Sequence, residues 1–272
     1  IGAGADMVVH SLHKSTGALT PGGLLHFRPD RVDRERVGVV LRQLQTSSPP
    51  SLLVASMDCA RRSLALGGEE PWAKVMETSK LLQERISTLR GWSCPPKIPP
   101  AWDPARLSLG ATALGYSGYA LTEVLRARSS VQCEMAELTS VLLALTPAHG
   151  EPEVERLMEA LTVVQARDPQ PNFEHLRELS RAYLERLCHS GRGESLHLRE
   201  AFCAPSTRVD FRKAIDQRSA DLIYCYPPGV PLVYPGQLLT EETVEFLETQ
   251  IALGGSVQGG VDERQLSVRV LK

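Results

Sequence analysis

Apolar and polar positions along the chain follow two spacings, one typical of strands and one typical of helices. Met7–Val9 is a short unbroken apolar run that predicts a buried strand, and the apolar segment 22–27 predicts a second strand soon after it. Apolar residues three and four positions apart predict helices over 31–44, 52–66 and 71–89. Hydroxyl and proline residues over 46–51 separate the first two helices and predict a loop.

A proline-rich segment divides the chain in two. Cys94–Pro100 has four prolines in its last six residues, which excludes a helix or a central strand and predicts a domain junction. The domains are therefore expected at 1–92 and 93–272. Beyond the junction, strands are predicted at 106–109, 222–224, 231–234 and 266–270, and 131–145 has a strand-like start and an apolar end. Helices are predicted at 117–128, 151–166, 172–188 and 240–253. Ser117 and Thr240 are the expected N-caps of the first and last of these helices, and the mixture of elements predicts an α/β or α+β fold.

The composition excludes several classes of protein. The 272 residues are 42% hydrophobic and 23% charged, as expected for a globular protein with one large domain or two ordinary ones. A net charge of −2 gives no reason to expect nucleic acid or an anionic membrane as a partner. The longest apolar runs, such as Val141–Leu145, are too short to span a bilayer, and no secretory signal is visible. Six scattered cysteines without a C-x-x-C pair predict reduced thiols in a cytoplasmic protein.

The segment after the first predicted strand carries the candidate chemistry. In His10–Gly17, Lys14 stands among Ser11, His13 and further hydroxyls, on an expected loop. A lysine amine becomes nucleophilic when burial and nearby positive charge lower its pKa, and hydroxyls donate hydrogen bonds to a phosphate. These residues indicate a Schiff-base or phosphate site, whereas a lysine after a strand is more often a solvated surface residue. His10 and His13 lack further ligands nearby in the sequence, so no metal is expected.

Two further segments are weaker candidates. Thr46 and Ser47 offer hydroxyls and backbone N–H groups to an anion, but an ordinary polar loop explains them better on their own. Glu200 directly follows Arg199. This pair is typical of the solvated start of a helix, and the alternative is that Glu200 recognises a basic substrate. The turn at Tyr226–Pro231 follows from the backbone preferences of proline and glycine and needs no site.

Five segments, in the same order along the chain, resemble motifs of the bacterial Orn/Lys/Arg decarboxylase family. Residues 4–14 resemble the family pattern G-A-D-[IV]-V-x-S-x-H-K, and 46–58 resemble T-S-S-P-S-Y with A-S-L-D. Residues 114–118 are similar to L-G-x-x-G, 199–205 to R-E-A-F-F-A-P, and 226–237 to Y-P-P-G-[IV]-P with P-G-E. One such motif is weak evidence, but five in order over nearly the whole chain are specific.

The resemblance implies a fold and a reaction. The fold would be α/β: the C-terminal part of a type I, aspartate aminotransferase-like large domain over 1–92, then a smaller α/β domain over 93–272. The cofactor would be pyridoxal 5'-phosphate. The reaction would be decarboxylation of arginine, lysine or ornithine to the corresponding amine, as in polyamine biosynthesis, with arginine as the first choice of substrate.

The resemblance also implies roles for the candidate residues. Lys14 would be the Schiff-base lysine, and it or the neighbouring His13 would return a proton to Cα of the substrate. The other contacts would come from Ser11 and His13 at the cofactor phosphate, Thr46 or Ser47 across the interface of a homodimer or higher homo-oligomer, and Glu200 at the basic substrate.

The chain departs from the family pattern in several places. Pro21, Pro50, Cys225 and Gln237 replace residues common in the family. The family's aspartate for the pyridine nitrogen, and its ring-stacking histidine, would lie before Ile1, so an incomplete site is expected in this chain alone. Two alternatives stay open: another type I pyridoxal phosphate enzyme, such as an aminotransferase or a lyase, and a truncated non-catalytic homologue.

Overall fold

The computed structural model describes residues 1–95, 102–164, 176–182, 185 and 196–272. Their contacts form two compact units, Ile1–Val75 and Met76–Lys272. The division between the units falls inside a helix, and the expected domain junction at 92–93 stays a prediction. Within the described residues, no helix is both long enough and apolar enough to cross a membrane.

The first unit is a two-stranded antiparallel sheet joined to helices. Its elements are β1 (Met7–Ser11), α1 (Leu12–Ser15), β2 (Gly23–Phe27), α2 (Arg34–Leu44), α3 (Ser51–Gly67) and the start of α4 (Glu69–Ser87). Strands β1 and β2 pair in a register that places Ser11 opposite Gly23. Helix α2 begins after Asp33, whose side chain accepts hydrogen bonds from two backbone N–H groups of the first turn. The strands and long helices predicted for this part of the chain are confirmed.

Two expectations for the start of the chain are wrong. Strand β1 is not buried, because its residues Met7 and Val9 expose 46% and 75% of their surface. An unbroken apolar run is typical of a strand that is covered on both faces. Here the sheet has only two strands, and it buries little of either face. Lys14 lies on the short helix α1 rather than on a loop. Four helical residues are too few to give a periodic pattern in the sequence.

The second unit contains three small antiparallel sheets. Its strands are β3 (Arg106–Leu109), β4 (Met135–Ala136), β5 (Val141–Ala144), β6 (Ser206–Asp210), β7 (Ile223–Tyr226), β8 (Pro231–Val233), β9 (Ser256–Gly259), β10 (Val261–Asp262) and β11 (Ser267–Leu271). The strand orders are β3-β5-β4, β8-β7-β9 and β10-β11-β6. Strands far apart in sequence therefore meet, as where β6 pairs with β11.

Helices surround these sheets. They are the end of α4, α5 (Gly118–Ser129), α6 (Glu151–Val163), α7 (Leu198–Cys203) and α8 (Glu241–Ala252), with single 3-10 turns at Thr112–Leu114 and Phe211–Ala214. The predicted N-caps are confirmed: the Ser117 hydroxyl accepts from Ala120 N, and the Thr240 hydroxyl accepts from Thr243 N. The predicted helix over 172–188 lies partly outside the described residues, and 176–182 and 185 are helical.

The core of the second unit joins α8 to two of the sheets. Val244 and Leu247 of α8 are 1% exposed, and they belong to one buried cluster with Ile223 of β7 and Val270 of β11. Another contact ties α4 to α6, where Arg85 donates two hydrogen bonds to the Glu155 carboxylate at 2.5 and 3.0 Å. The second unit is therefore held by packing between elements that are distant in sequence.

Candidate functional site

Lys14 is the third residue of α1, directly after strand β1, and its side chain is exposed. Ser11 stands at the N-cap position of this helix, and its side chain makes no capping hydrogen bond. The turn ends at Thr16, whose hydroxyl and backbone N–H both donate to the Leu12 carbonyl, at 2.5 and 3.1 Å. The arrangement presents an amine and a hydroxyl to solvent on one short, hydrogen-bonded turn.

The ring of His13 is held by the backbone of Gly22. Gly22 N–H donates to His13 Nδ1 at 3.0 Å, and the Gly22 carbonyl oxygen lies 2.9 Å from the same nitrogen. That carbonyl also accepts from Leu12 N at 3.0 Å, so Gly22 is bonded to two successive residues before Lys14. A neutral ring that accepts at Nδ1 carries its proton on Nε2. Both backbone contacts of the ring are made at Nδ1, so among the described residues Nε2 is the nitrogen left for another partner.

Helix α3 packs against this turn. Leu12, Ala18 and Ala60 form a small buried cluster, with Met57 packed against it. The Ser56 hydroxyl accepts from Leu19 N at 3.1 Å, which fixes the segment between α1 and β2 to α3. The position of Lys14 thus depends on contacts from residues more than forty positions along the chain.

Two histidines and an ion pair lie around the β1–β2 sheet. The rings of His10 and His26 meet edge to face, with centroids 5.2 Å apart, and both are exposed. Asp6, just before β1, is bonded to Arg31 at 2.9 Å. In the described part of the chain, no group of three or more His, Cys, Asp or Glu residues could hold a metal ion.

Thr46 and Ser47 lie in the exposed loop between α2 and α3. The Thr46 hydroxyl accepts from Ser48 N at 3.2 Å, which stabilises the loop itself. Among the described residues, no hydrogen bond joins either side chain to Ser11, His13 or Lys14. Their role at a phosphate stays a prediction.

Glu200 belongs to the second unit, where it lies exposed in the first turn of α7. A carboxylate in the first turn is stabilised by the positive end of the helix dipole, which agrees with the interpretation of Glu200 as part of a solvated helix start. Its role in binding a basic substrate also stays a prediction.

The second unit contains a cleft of about 270 Å³. Its apolar lining includes Leu82, Leu143 and Leu157, and its polar lining includes His149, Glu153 and Arg156. Gly150 N–H donates to the Glu153 carboxylate and lowers its pKa, as in a helix capping box. None of the residues predicted for the site lines this cleft.

Sequence reasoning missed three residues that support the lysine turn: Gly22, Ser56 and Met57. The sequence places Gly22 only at the start of the second predicted strand, and Ser56 and Met57 only within a segment that resembles a family motif. Neither periodicity nor spacing reports a hydrogen bond between residues 19 and 56. That contact depends on how α3 packs against α1.

Comparison with known proteins shows a similarity to one family of enzymes. Residues 3–109 match the model for the major domain of Orn/Lys/Arg decarboxylases. Arginine decarboxylase of Bacillus subtilis is 28% identical over 277 residues, with 99% of this chain and 55% of that protein covered. Over residues 3–109 the chain is therefore similar to the Orn/Lys/Arg decarboxylase family. A second relative, arginine decarboxylase of Halalkalibacterium halodurans, is also 28% identical, over 99% of this chain and 55% of its own length.

Solved structures of lysine decarboxylases share the fold of this chain. The Escherichia coli constitutive enzyme superposes with a TM-score of 0.69 at 18% identity, covering 98% of this chain and 49% of that one. The Francisella novicida enzyme gives 0.71 at 16% identity, covering 97% and 48%. The predicted α/β fold of the type I class is thus confirmed. The chain spans about half the length of the relatives it matches.

Proposed function

We propose that this chain provides the lysine-bearing part of a pyridoxal phosphate-dependent decarboxylase that acts on a basic amino acid, with arginine as the first choice. The observation that carries the proposal is the exposed Lys14 amine, on a turn with Ser11 and His13, inside the segment that matches the decarboxylase major domain. The names of the curated relatives support arginine as the substrate.

The donor groups around Lys14 fit pyridoxal phosphate. Lys14 has an exposed amine for the cofactor aldehyde, and the Ser11 hydroxyl makes no capping bond that a phosphate would have to displace. His13 has Nε2 available because its Nδ1 is occupied by Gly22. A phosphate dianion is well served by one hydroxyl and one imidazole N–H donor. In this proposal Thr46 or Ser47 donates further hydrogen bonds to the phosphate across a homodimer interface.

In the proposed reaction the protein positions groups and moves protons. Bound pyridoxal phosphate supplies an electron sink for the electron pair that departing CO₂ leaves behind. Lys14 would hold the cofactor aldehyde through Nζ, and Ser11 and His13 would hold its phosphate. Lys14 Nζ or His13 Nε2 then donates a proton to Cα of the product. Glu200 binds the cationic end of the substrate as an ion pair.

The activity proposed here requires more protein than this chain. The relatives are almost twice as long, and their remaining half would supply the carboxylate that keeps the pyridine nitrogen protonated. Exposed apolar side chains in the first unit, such as Leu44 at 81% and Leu52 at 71%, are consistent with a surface that further protein covers. We place the assembled enzyme in the cytoplasm, in keeping with its free cysteines.

Two experiments test this function. The first reads the codons that precede Ile1 in the genome: an in-frame D-x-A-[HW]-G segment supports the decarboxylase, whereas a stop codon supports a non-catalytic homologue. The second supplies the polypeptide carrying both parts with pyridoxal phosphate and arginine, lysine or ornithine. We expect CO₂ release, with arginine the fastest, and no activity in Lys14→Ala. Keto-acid formation in place of CO₂ release would indicate an aminotransferase.

Lys74→Ala is the matched control for this assay. Lys74 is also an exposed lysine of the first unit, paired with Glu70 on the surface of α4. Its removal should leave CO₂ release unchanged. Equal losses in Lys14→Ala and Lys74→Ala would mean that the first substitution acts through a general effect on the protein.

A further inference from the structure

The ring of His13 contacts both the N–H and the C=O group of Gly22 through the same nitrogen. One ring nitrogen, Nδ1, lies within hydrogen-bond distance of both polar backbone groups of a single residue, at 3.0 Å from Gly22 N and 2.9 Å from Gly22 O. One of these groups is a donor and the other is an acceptor. Nδ1 can therefore find a partner whether or not it carries a proton.

The two protonation states of the ring use the two backbone groups in turn. In the neutral ring with its proton on Nε2, Nδ1 accepts from Gly22 N–H. When the ring carries a proton on both nitrogens, Nδ1–H donates to the Gly22 carbonyl, and it keeps this bond in the neutral Nδ1–H ring that remains after Nε2 gives its proton to a neighbouring group. The ring stays in place in both states. The ring therefore keeps a hydrogen bond to the Gly22 backbone whichever of its nitrogens carries a proton.

Helix α3 lies against Gly22 and leaves little room for a side chain at this position. A Cβ at this position would lie 3.0 Å from both Cγ and Sδ of Met57, and 3.3 Å from the Leu19 carbonyl oxygen. Gly22 is itself buried. The Ser56 hydroxyl accepts from Leu19 N, so the segment leading to Gly22 is tied to the same helix and has little freedom to move away.

We propose that Gly22 is a positioning residue for His13, fixing the imidazole at Nδ1 in both protonation states so that Nε2 stays directed to the chemistry beside Lys14. The geometric part of this proposal concerns the backbone of Gly22 and the ring of His13 alone. Its part in the reaction rests on the proposed function.

The test uses ¹⁵N-histidine-labelled full chain without cofactor, and long-range ¹H–¹⁵N spectra, with His13→Gln to assign the His13 signal. We expect the Nδ1 signal of His13 to be that of a nitrogen hydrogen-bonded to the protein, because one of the two Gly22 backbone groups serves it in either tautomer. Gly22→Val should move this signal to that of an imidazole in free contact with solvent. Adding Met57→Ala to Gly22→Val should make room for the side chain and restore much of the unsubstituted spectrum.

Gly23→Val is the matched control. A Cβ at Gly23 has only the His10 carbonyl oxygen nearby, at 3.8 Å, and β2 accepts a branched residue. Its spectrum should equal that of the unsubstituted chain. An Nδ1 signal of a solvent-exposed imidazole in the unsubstituted chain, or an unchanged His13 spectrum in Gly22→Val, would overturn the proposal.

Cofactor affinity provides a separate readout. Gly22→Val should weaken pyridoxal phosphate binding by about tenfold, as expected for the loss of one positioned hydrogen-bond donor, and Met57→Ala should recover part of it. If the unsubstituted chain with its complementary half binds no pyridoxal phosphate, the proposed function fails, and the histidine spectra still decide the role of Gly22.

Discussion

Thr16 closes the turn that carries Lys14 by bonding twice to Leu12. The Thr16 hydroxyl donates to the Leu12 carbonyl at 2.5 Å, and the Thr16 backbone N–H donates to the same oxygen at 3.1 Å. Lys14 lies between these two residues. The helix α1 is four residues long, too short to be stable by itself, so such local bonds decide whether the turn keeps its shape.

Removing the Thr16 hydroxyl should loosen this turn. Thr16→Val keeps the size and branching of the side chain but loses the hydrogen bond, and we expect the free energy of unfolding to fall by about 1 kcal/mol. Thr16→Ser keeps the hydroxyl and should lose less than half as much. Urea denaturation of the three proteins checks this, and equal stability of the valine and serine variants would contradict it.

Gly118 at the start of α5 should tolerate no side chain. A Cβ there would clash with the carbonyl oxygens of Ser140 and Glu137, and neither backbone group can rotate away. We expect Gly118→Ala to lower the free energy of unfolding by more than about 3 kcal/mol, measured by thermal or urea denaturation.

Gly38→Ala is the contrasting substitution. Gly38 lies within α2, and the nearest atom to its Cβ would be the end of the flexible Arg42 side chain, at 3.5 Å. Alanine should raise the free energy of unfolding by about 0.5 to 1 kcal/mol, because it lowers the entropy lost on forming the helix. A small loss for Gly118→Ala, of the size expected on a protein surface, would show that α5 does not pack against these carbonyls.

Cys225 should make stability fall at alkaline pH. Burial, with a smaller contribution from the Glu263 carboxylate, raises the pKa of its thiol to about 12, against a usual value of 9.0. Between these values the unfolded chain releases a proton that the folded chain keeps, so the free energy of unfolding decreases as the pH rises. Below pH 9 both states keep the proton, and this contribution is fully present.

Urea unfolding at pH 8, 9 and 10 measures the effect. The unsubstituted chain should lose stability more steeply with pH than Cys225→Ala, whereas Cys59→Ala, at an exposed cysteine, should follow the unsubstituted chain. Parallel pH dependence in all three proteins would indicate that Cys225 ionises normally in the folded state.

The sequence predicts the parts of this fold that depend on local spacing. Helices α2 and α3, the strands around Lys14 and the caps at Ser117 and Thr240 follow from periodicity and from the hydrogen-bonding needs of helix ends. The burial of β1 could not be predicted in this way. Whether Val9 is covered depends on which neighbours surround the sheet, and the alternation of side chains carries no such information.

The candidate site divides in the same way. The place of Lys14 directly after a strand follows from the apolar run before it, and the family motifs indicate its chemistry. The hydrogen bonds from Gly22 to His13 and from Leu19 to Ser56 join residues 9 and 37 positions apart. Such contacts are set by the packing of α3 against α1, which no single segment of the sequence contains.

The central claim is that Lys14 is the lysine that binds pyridoxal phosphate. The most direct measurement treats the chain, together with its complementary half, with an equal amount of pyridoxal phosphate and then borohydride, and locates the pyridoxyl group by peptide mass spectrometry. We predict the label on Lys14, with far less on the exposed Lys74, and its loss in Lys14→Arg. Label spread evenly over the exposed lysines, or undiminished labelling of the chain in Lys14→Arg, would contradict the claim.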